Sequence, residues 1–482
     1  MSRQGPRGGD TGGAATTALA VVLASALGAW LWPEAHLDPD LLSYLVYGRQ
    51  LAGGAATPFG YTVPKLLPIA LYGPLADPWR AMLLSIAVAA GGGAILWTIV
   101  ARLFDRPTAA LAAALYVGDP MRNVLTLRSS ADLLMGVSLL AAILALLDRR
   151  VFVAAAAILL AALCKPTAAA CGLAILLVPG VLLARRAAAA LLPLLALPAS
   201  AILGSLLSGG GAFGALALPD QHERFVRIAQ GSPLGLAQTL HLVVVEWFGG
   251  TLFARSWPLV LAGLALFAAR AAQQDASARR RDAAFVAVPA LLAAAYLGLA
   301  TLRPMVFFTR FLWLPTVVLA ALAALAVVWI ARALPAPPAL RVALGLALAA
   351  VLLVDRFDDH RWRAGLMLEP FARHARVASA AMEAIAGGEA CAGPTVVPIA
   401  YLPLAAWRAP ARLERGELCA VEDWAEGRGC AAPVCMLFIP EAITRDAARD
   451  ALVARVRGGT MVGEGSATEA LVRLAPAAAS SR

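Results

Sequence analysis

HLDPDLLSYLVYGRQL, residues 36–51, and VPKLLPIALYGPL, residues 63–75, lie between the first two long apolar runs. Together they carry two aspartates, the tyrosines Tyr44 and Tyr47, and Lys65, one of only two lysines in the chain. Nearly everything around them reads as membrane. Ionisable groups placed directly after a membrane span are costly and mark function. Asp40, Tyr44 and Tyr47 recur at helical spacing, so residues 39–51 read as a helix with those three side chains on one face.

Outward from this loop, 61% of the 482 residues are hydrophobic and the mean hydropathy is +0.76. Continuous apolar runs long enough to cross about 30 Å of hydrocarbon recur along the chain, which makes helices and excludes strands for the spans. Runs at 16–32, 80–102, 107–118, 130–147, 151–164, 167–184, 187–206, 256–272, 284–301, 311–333 and 339–354 give roughly eleven spans. The fold class expected is an all-α polytopic membrane protein with a small C-terminal α/β domain outside the membrane. Residues 1–14 read as a disordered cytoplasmic tail. Residues 15–355 form the membrane domain, with outer loops at 33–78 and 208–255. Residues 356–482 form the extracytoplasmic domain, with strand-like runs at PTVVPIAYLP and VCMLFIP.

The net charge of +10 comes largely from arginine pairs between spans: Arg102 and Arg106, Arg149 and Arg150, Arg185 and Arg186, Arg279 to Arg281, Arg332 and Arg341. That is the positive-inside pattern, and it argues against nucleic acid as a partner. It puts the N-terminus in the cytoplasm and the C-terminal domain on the periplasmic or extracellular side of the cell (inner) membrane. Trp32, Trp79, Trp257 and Trp313 then fit an outer aromatic belt. Of six cysteines, Cys164 and Cys171 sit in apolar helices. Cys391, Cys419, Cys430 and Cys435 sit in the C-terminal part, where an oxidising compartment would pair them.

The polar residues near the outer surface suit glycosyl transfer. A carboxylate must accept the acceptor's proton, and cations must hold a departing phosphate. Asp38, Asp40, Asp119 and Asp132 are the carboxylates available; Lys65, Arg80, Lys165, Arg303 and Arg310 are the cations. Each has a plainer alternative. Asp38 or Asp40 could cap the loop helix, with Pro39 at its first position. Lys65 could snorkel to the interface, Arg310 could anchor there, and Lys165 could pair with Asp132. Asp38-Pro39-Asp40 also has the form of an Asp-x-Asp metal motif, so a divalent metal there stays open; no other cofactor is expected. No Gly-rich nucleotide loop is present, which suits a lipid donor.

Several motifs in order resemble the GT-C glycosyltransferases, in the branch of the protein O-mannosyltransferases and the aminoarabinose transferase. They are Asp40-Leu-Leu-Ser-Tyr44, Pro64-Lys65-Leu-Leu-Pro68, Trp79-Arg80, Ser129-Ser130-Ala131-Asp132, Leu163-Cys164-Lys165-Pro166 and Arg310-Phe311-Leu-Trp-Leu-Pro315. The resemblance covers roughly residues 15–355 and implies sugar transfer from a polyprenyl-phosphate donor to a glycan, lipid or protein of the cell envelope. On it, Asp40 and Asp38 are the catalytic candidates. Lys65, Arg80, Lys165 and Arg310 hold the donor phosphate, and Tyr44, Tyr47, Asp119 and Asp132 line the substrate site. Leu41 stands where the mannosyltransferases have a second acid, and Pro64 where the aminoarabinose branch has Glu, so donor identity does not carry over. The rival readings are a transporter or flippase of lipid-linked glycans and a non-catalytic envelope assembly protein.

Overall fold

The computed structural model describes residues 11–53, 65–208, 235–241, 243, 253, 255–302, 309–363, 378–383, 385–386, 393–398, 401–421, 424, 435–438, 460–466 and 469–473. Arg303, Cys391, Cys430 and most of the loop at 208–255 lie outside them. The membrane part runs α1 (Thr11–Leu31), α2 (Pro39–Gly53), α3 (Leu66–Tyr72), α4 (Pro78–Leu103), α5 (Arg106–Val117), α6 (Pro120–Leu127), α7 (Ala131–Leu147), α8 (Val151–Cys164), α9 (Leu183–Leu191), α10 (Ala196–Ser208), α11 (Leu236–His241), α12 (Trp257–Ala272), α13 (Ala276–Asp282), α14 (Ala284–Leu302), α15 (Trp313–Ala333) and α16 (Pro338–Arg363).

The apolar runs expected as spans fall on helix apart from the turn at 178–182, but fewer than the eleven expected are long enough to cross a membrane. Among the described residues five helical stretches are long and apolar enough to cross a membrane alone, or seven if the bent pairs α6–α7 and α13–α14 each count as one. Two departures have local causes. Residues Pro166–Leu177 form a 3-10 segment rather than an α-helix; Pro166 opens it, and a turn at Gly180, whose φ is +75°, closes it before α9. Residues 120–127 form their own short helix, set at 118° to α7. Helix α16 continues through Asp355 to Arg363, past the boundary expected from composition.

The helix starts repeat one chemical device. Asp38, Asp77 and Asp119 each precede a proline at the first helical position. The Asp77 and Asp119 carboxylates accept the Trp79 and Met121 amides at 2.9 and 3.1 Å, and Asp38 does the same for Asp40. An aspartate acceptor satisfies an orphan N–H, and the proline has no N–H to orphan. Helix α15 is buried along most of its length, against α5 and α12. Its Trp313 ring lies over Gly136 so closely that a Cβ there would be 2.2 Å from it. Where α2 crosses the turn after α3, backbone meets backbone: a Cβ on Gly48 would sit 2.3 Å from the Gly73 Cα.

Beyond the membrane helices lies a five-stranded sheet of order β2-β1-β3-β5-β4, built of β1 (Thr395–Val397), β2 (Leu418–Ala420), β3 (Cys435–Phe438), β4 (Thr460–Ser466) and β5 (Glu469–Arg473). Strand β1 is parallel to both neighbours, and β5 is antiparallel to both of its own. The sheet's α17 (Leu402–Arg408) packs on α2, where Arg49 donates to the Trp407 carbonyl at 3.3 Å. Cys419 and Cys435 are both disulfide-bonded. They stand either side of β1, two strand spacings or about 10 Å apart. One bridge cannot reach that far, so they are not each other's partners.

Candidate functional site

The site is assembled at the N-terminus of α2. Asp38 is 3% exposed, and its two oxygens have separate duties. Oδ1 accepts the Asp40 amide at 2.9 Å, and Oδ2 pairs with Arg128 Nε. Burial pushes the Asp38 carboxyl above its usual range, Arg128 opposes this, and the Asp40 charge adds to the rise. Because Asp38 caps the helix, the Asp40 carboxylate is released from that role. Burial alone would raise the Asp40 pKa, but Lys65, Arg310, Arg128 and Lys165 outweigh it and hold the group at about 2. Asp40 is therefore ionised at neutral pH.

The cations come from three other places in the chain. Arg310, in a 3-10 turn before α15, bridges two carboxylates: Nη1 lies 3.4 Å from Asp40 Oδ2, and Nε lies 3.5 Å from Asp132 Oδ2. Lys165, at the end of α8, pairs with Asp132 and sits 3.8 Å above the Phe311 ring, which stacks on Tyr296. Cation–π contact of this kind helps hold a buried ammonium. Lys65, just ahead of α3, donates to the Tyr44 hydroxyl at 3.0 Å, over the same ring. Among the described residues no carboxylate forms an ion pair with it. Tyr44 stacks on Tyr72, which exchanges a 2.8 Å hydrogen bond with Ser85.

This places Asp38, Asp40, Tyr44, Lys65, Asp132, Lys165 and Arg310 in one cluster, and it separates three other candidates from it. Arg80 has a side chain 71% exposed and pairs with Asp77 one helical turn back; the Asp-Pro helix start at 77–78 holds it at the surface. Asp119 caps α6 and accepts the Trp313 indole at 2.7 Å. Its two oxygens are thus spent on structure, and Trp313 is a core residue, not part of an interfacial belt. Tyr47 is buried in the apolar packing of α2, one turn beyond Tyr44. Lys165, read from sequence as a phosphate ligand or a partner of Asp132, has Asp132 as partner.

Asp38 and Asp40, the pair with the form of a metal motif, are both engaged by cations. Each carboxylate already faces a guanidinium, and among the described residues no group of three metal-ligating side chains exists. Arg128 was not recognised as a site residue from sequence. It follows a short helix, and its partner Asp38 lies ninety residues earlier in the chain. Counted formally among the described residues, Asp38, Asp40 and Asp132 face Lys65, Arg128, Lys165 and Arg310, three negative charges against four positive.

No family model matches the sequence, and no curated protein is significantly similar to it. Similar solved structures do exist. The oligosaccharyltransferase of Archaeoglobus fulgidus, solved with Zn and sulfate, has a TM-score of 0.51 at 12% identity, covering 81% of this chain and 61% of that one. The aminoarabinose transferase ArnT from Cupriavidus metallidurans, solved bound to undecaprenyl phosphate, has a TM-score of 0.47 at 14% identity, covering 94% of this chain and 97% of that one. At such identities the likeness is one of fold alone, and the first alignment carries it: over 81% of its length the chain shares the fold of that oligosaccharyltransferase.

Proposed function

We propose that the protein is a membrane glycosyltransferase that moves a sugar from a polyprenyl-phosphate-linked donor to a glycan, lipid or protein acceptor of the cell envelope. The observation that carries this is the formal surplus of positive charge, among the described residues, beside a part-buried carboxylate that its neighbours keep ionised. A phosphodiester donor supplies the missing negative charge, with Lys65 and Arg310 as its ligands. The acceptor hydroxyl attacks the sugar C1 from the side of Asp40, which takes its proton. The bond from C1 to the phosphate oxygen breaks, and the polyprenyl phosphate leaves with the electron pair, its growing charge met by Lys65 and Arg310. Inversion at C1 follows from this single displacement.

Donor binding also strengthens the base. Lys65 and Arg310 are the two charges that hold Asp40 lowest. A phosphate lodged between them offsets their pull, so the Asp40 pKa rises when the donor is present. The charged groups lie at one end of α7, α8 and α15, not midway along them, which favours chemistry at a membrane face over transport through the middle.

The test is transfer by detergent-solubilised protein offered radiolabelled polyprenyl-phosphate sugars in turn, where no sealed compartment exists; absence of transfer with every donor would return the transporter reading. Lys65→Ala should bind undecaprenyl phosphate roughly ten- to a hundredfold more weakly, the worth of about 1.5–3 kcal/mol for a charge-assisted contact. Unchanged binding would make Lys65 a snorkelling residue.

We place the site and the C-terminal sheet outside the cell membrane and the N-terminus in the cytoplasm. The arginine pairs at the opposite ends of these helices support this, as do the disulfide-bonded Cys419 and Cys435. A periplasmic reporter should be active when fused after Arg361 and inactive after Arg150. The reverse pattern would invert the topology and move the site to the cytoplasmic face.

A further inference from the structure

We propose that Arg128 is a positioning residue for Asp40, acting through Asp38, and that the corner between α6 and α7 sets both carboxylates that Arg310 bridges. The proposal rests on the reading of Asp40 as the base and names what aims it.

The corner is three residues long, Arg128-Ser129-Ser130, and turns the chain by 118°. Ser129 takes a left-handed backbone, φ +47°, rare for a residue with a side chain. It is fully buried, and among the described residues its hydroxyl has no hydrogen-bond partner. Strain of this kind persists only where surrounding structure demands it, and it concentrates at functional sites. Backbone bonds hold the corner to the end of α6: the Arg128, Ser129 and Ser130 amides donate to the Val124, Thr126 and Leu125 carbonyls at 3.1, 3.1 and 2.9 Å.

Two arms leave the corner. On one, Arg128 pairs with Asp38, and Asp38 holds the Asp40 amide. On the other, the Ser130 hydroxyl accepts the Asp132 amide at 3.2 Å, and Asp132 meets Arg310. The arms converge on Asp40, one through its backbone and one through its carboxylate. A carboxylate as buried as Asp38 would rotate or take up a proton if left alone. The guanidinium opposes both and keeps the other oxygen on the Asp40 amide. Arg128 makes no ion pair with Asp40 itself among the described residues, so beyond the longer-range pull of its charge it acts through Asp38.

The experiment compares Arg128→Ala, Arg128→Lys, Asp38→Asn and the double variant Arg128→Ala/Asp38→Asn in the full-length protein. Backbone amide exchange over residues 39–47 should rise by roughly tenfold or more in Arg128→Ala, with exchange in α12 unchanged. Arg128→Lys should recover much of the protection. For transfer, Arg128→Ala should lower kcat while leaving KM for the donor near its original value, and the double variant should be no worse than Arg128→Ala alone. A raised donor KM with unaltered kcat would make Arg128 a phosphate ligand and overturn the proposal. So would unchanged exchange over 39–47, or increased exchange spread equally into α12. If no donor is used by the wild-type protein, the transferase reading fails while the exchange data still decide whether Arg128 positions Asp40.

Discussion

Asp40→Asn should abolish sugar transfer while leaving expression, membrane insertion and thermal stability close to those of the parent. The substitution keeps the size of the side chain and removes its ability to accept a proton. It spares the helix, because the N-terminus of α2 is capped by Asp38. General-base catalysis contributes about 10²–10⁴-fold, so residual activity above about a tenth would exclude that role and turn attention to Asp132. Asp38→Asn should cost less, since an amide oxygen still accepts the Asp40 N–H. The pH profile is a further check. A group held at about 2 stays ionised as pH falls, so the acid side of the rate for free enzyme should be flat to below about pH 4. A decline centred near neutral pH would point to another base.

Lys165→Met should destabilise the protein much more than Lys65→Ala. The two lysines differ in their counter-ions. Lys165 and Asp132 are a buried pair, and breaking such a pair costs up to about 3–5 kcal/mol; Arg310, which also faces Asp132, offsets part of that loss. Among the described residues Lys65 contacts the Tyr44 hydroxyl and ring and forms no ion pair, so its loss should fall on ligand binding. Apparent melting temperatures in one detergent would distinguish them, with Lys165→Met lowered by several degrees and Lys65→Ala near the parent. The double variant Lys165→Met/Asp132→Asn should recover part of the loss, because it removes the stranded charge. Equal melting temperatures for both single variants would contradict the assignment of separate structural and ligand roles.

Hydropathy located the spans because each helix must bury or present to lipid a continuous apolar length, and that demand is written in composition alone. The helix starts were legible for a similar reason: aspartate before proline is a local signal, complete within two residues. That same signal at Asp38-Pro39 favoured Asp38 as the cap. What was not legible depended on partners distant in the chain. Trp313 sits at a span start, where an indole ordinarily marks the interface; only the gap above Gly136 and the carboxylate of Asp119 make it a core residue. Arg80 followed a span start in the same way, but its nearest acid was one turn away. Arg128 gave no local sign of its role, since Asp38 is ninety residues earlier. An α-helix and a 3-10 helix of the same alanine- and leucine-rich composition have no distinguishing pattern, and so the segment at 166–177 read as an ordinary span.

The meeting of Gly48 with Gly73 bears on how the site can move. Side-chain contacts give by changing rotamer, but two glycine backbones in contact have none to change. Any tilt of α2 against its neighbour would pivot near that point, with Gly48 as fulcrum. Asp40 lies eight residues away, a lever arm of about 12 Å at 1.5 Å per residue. A tilt of roughly 5° thus carries its carboxylate about 1 Å, enough to tighten or release its 3.4 Å approach to Arg310. Tyr44 is half as far from the fulcrum and moves half as much. The helix that bears the base is geared so that small rotations are read out chiefly at Asp40.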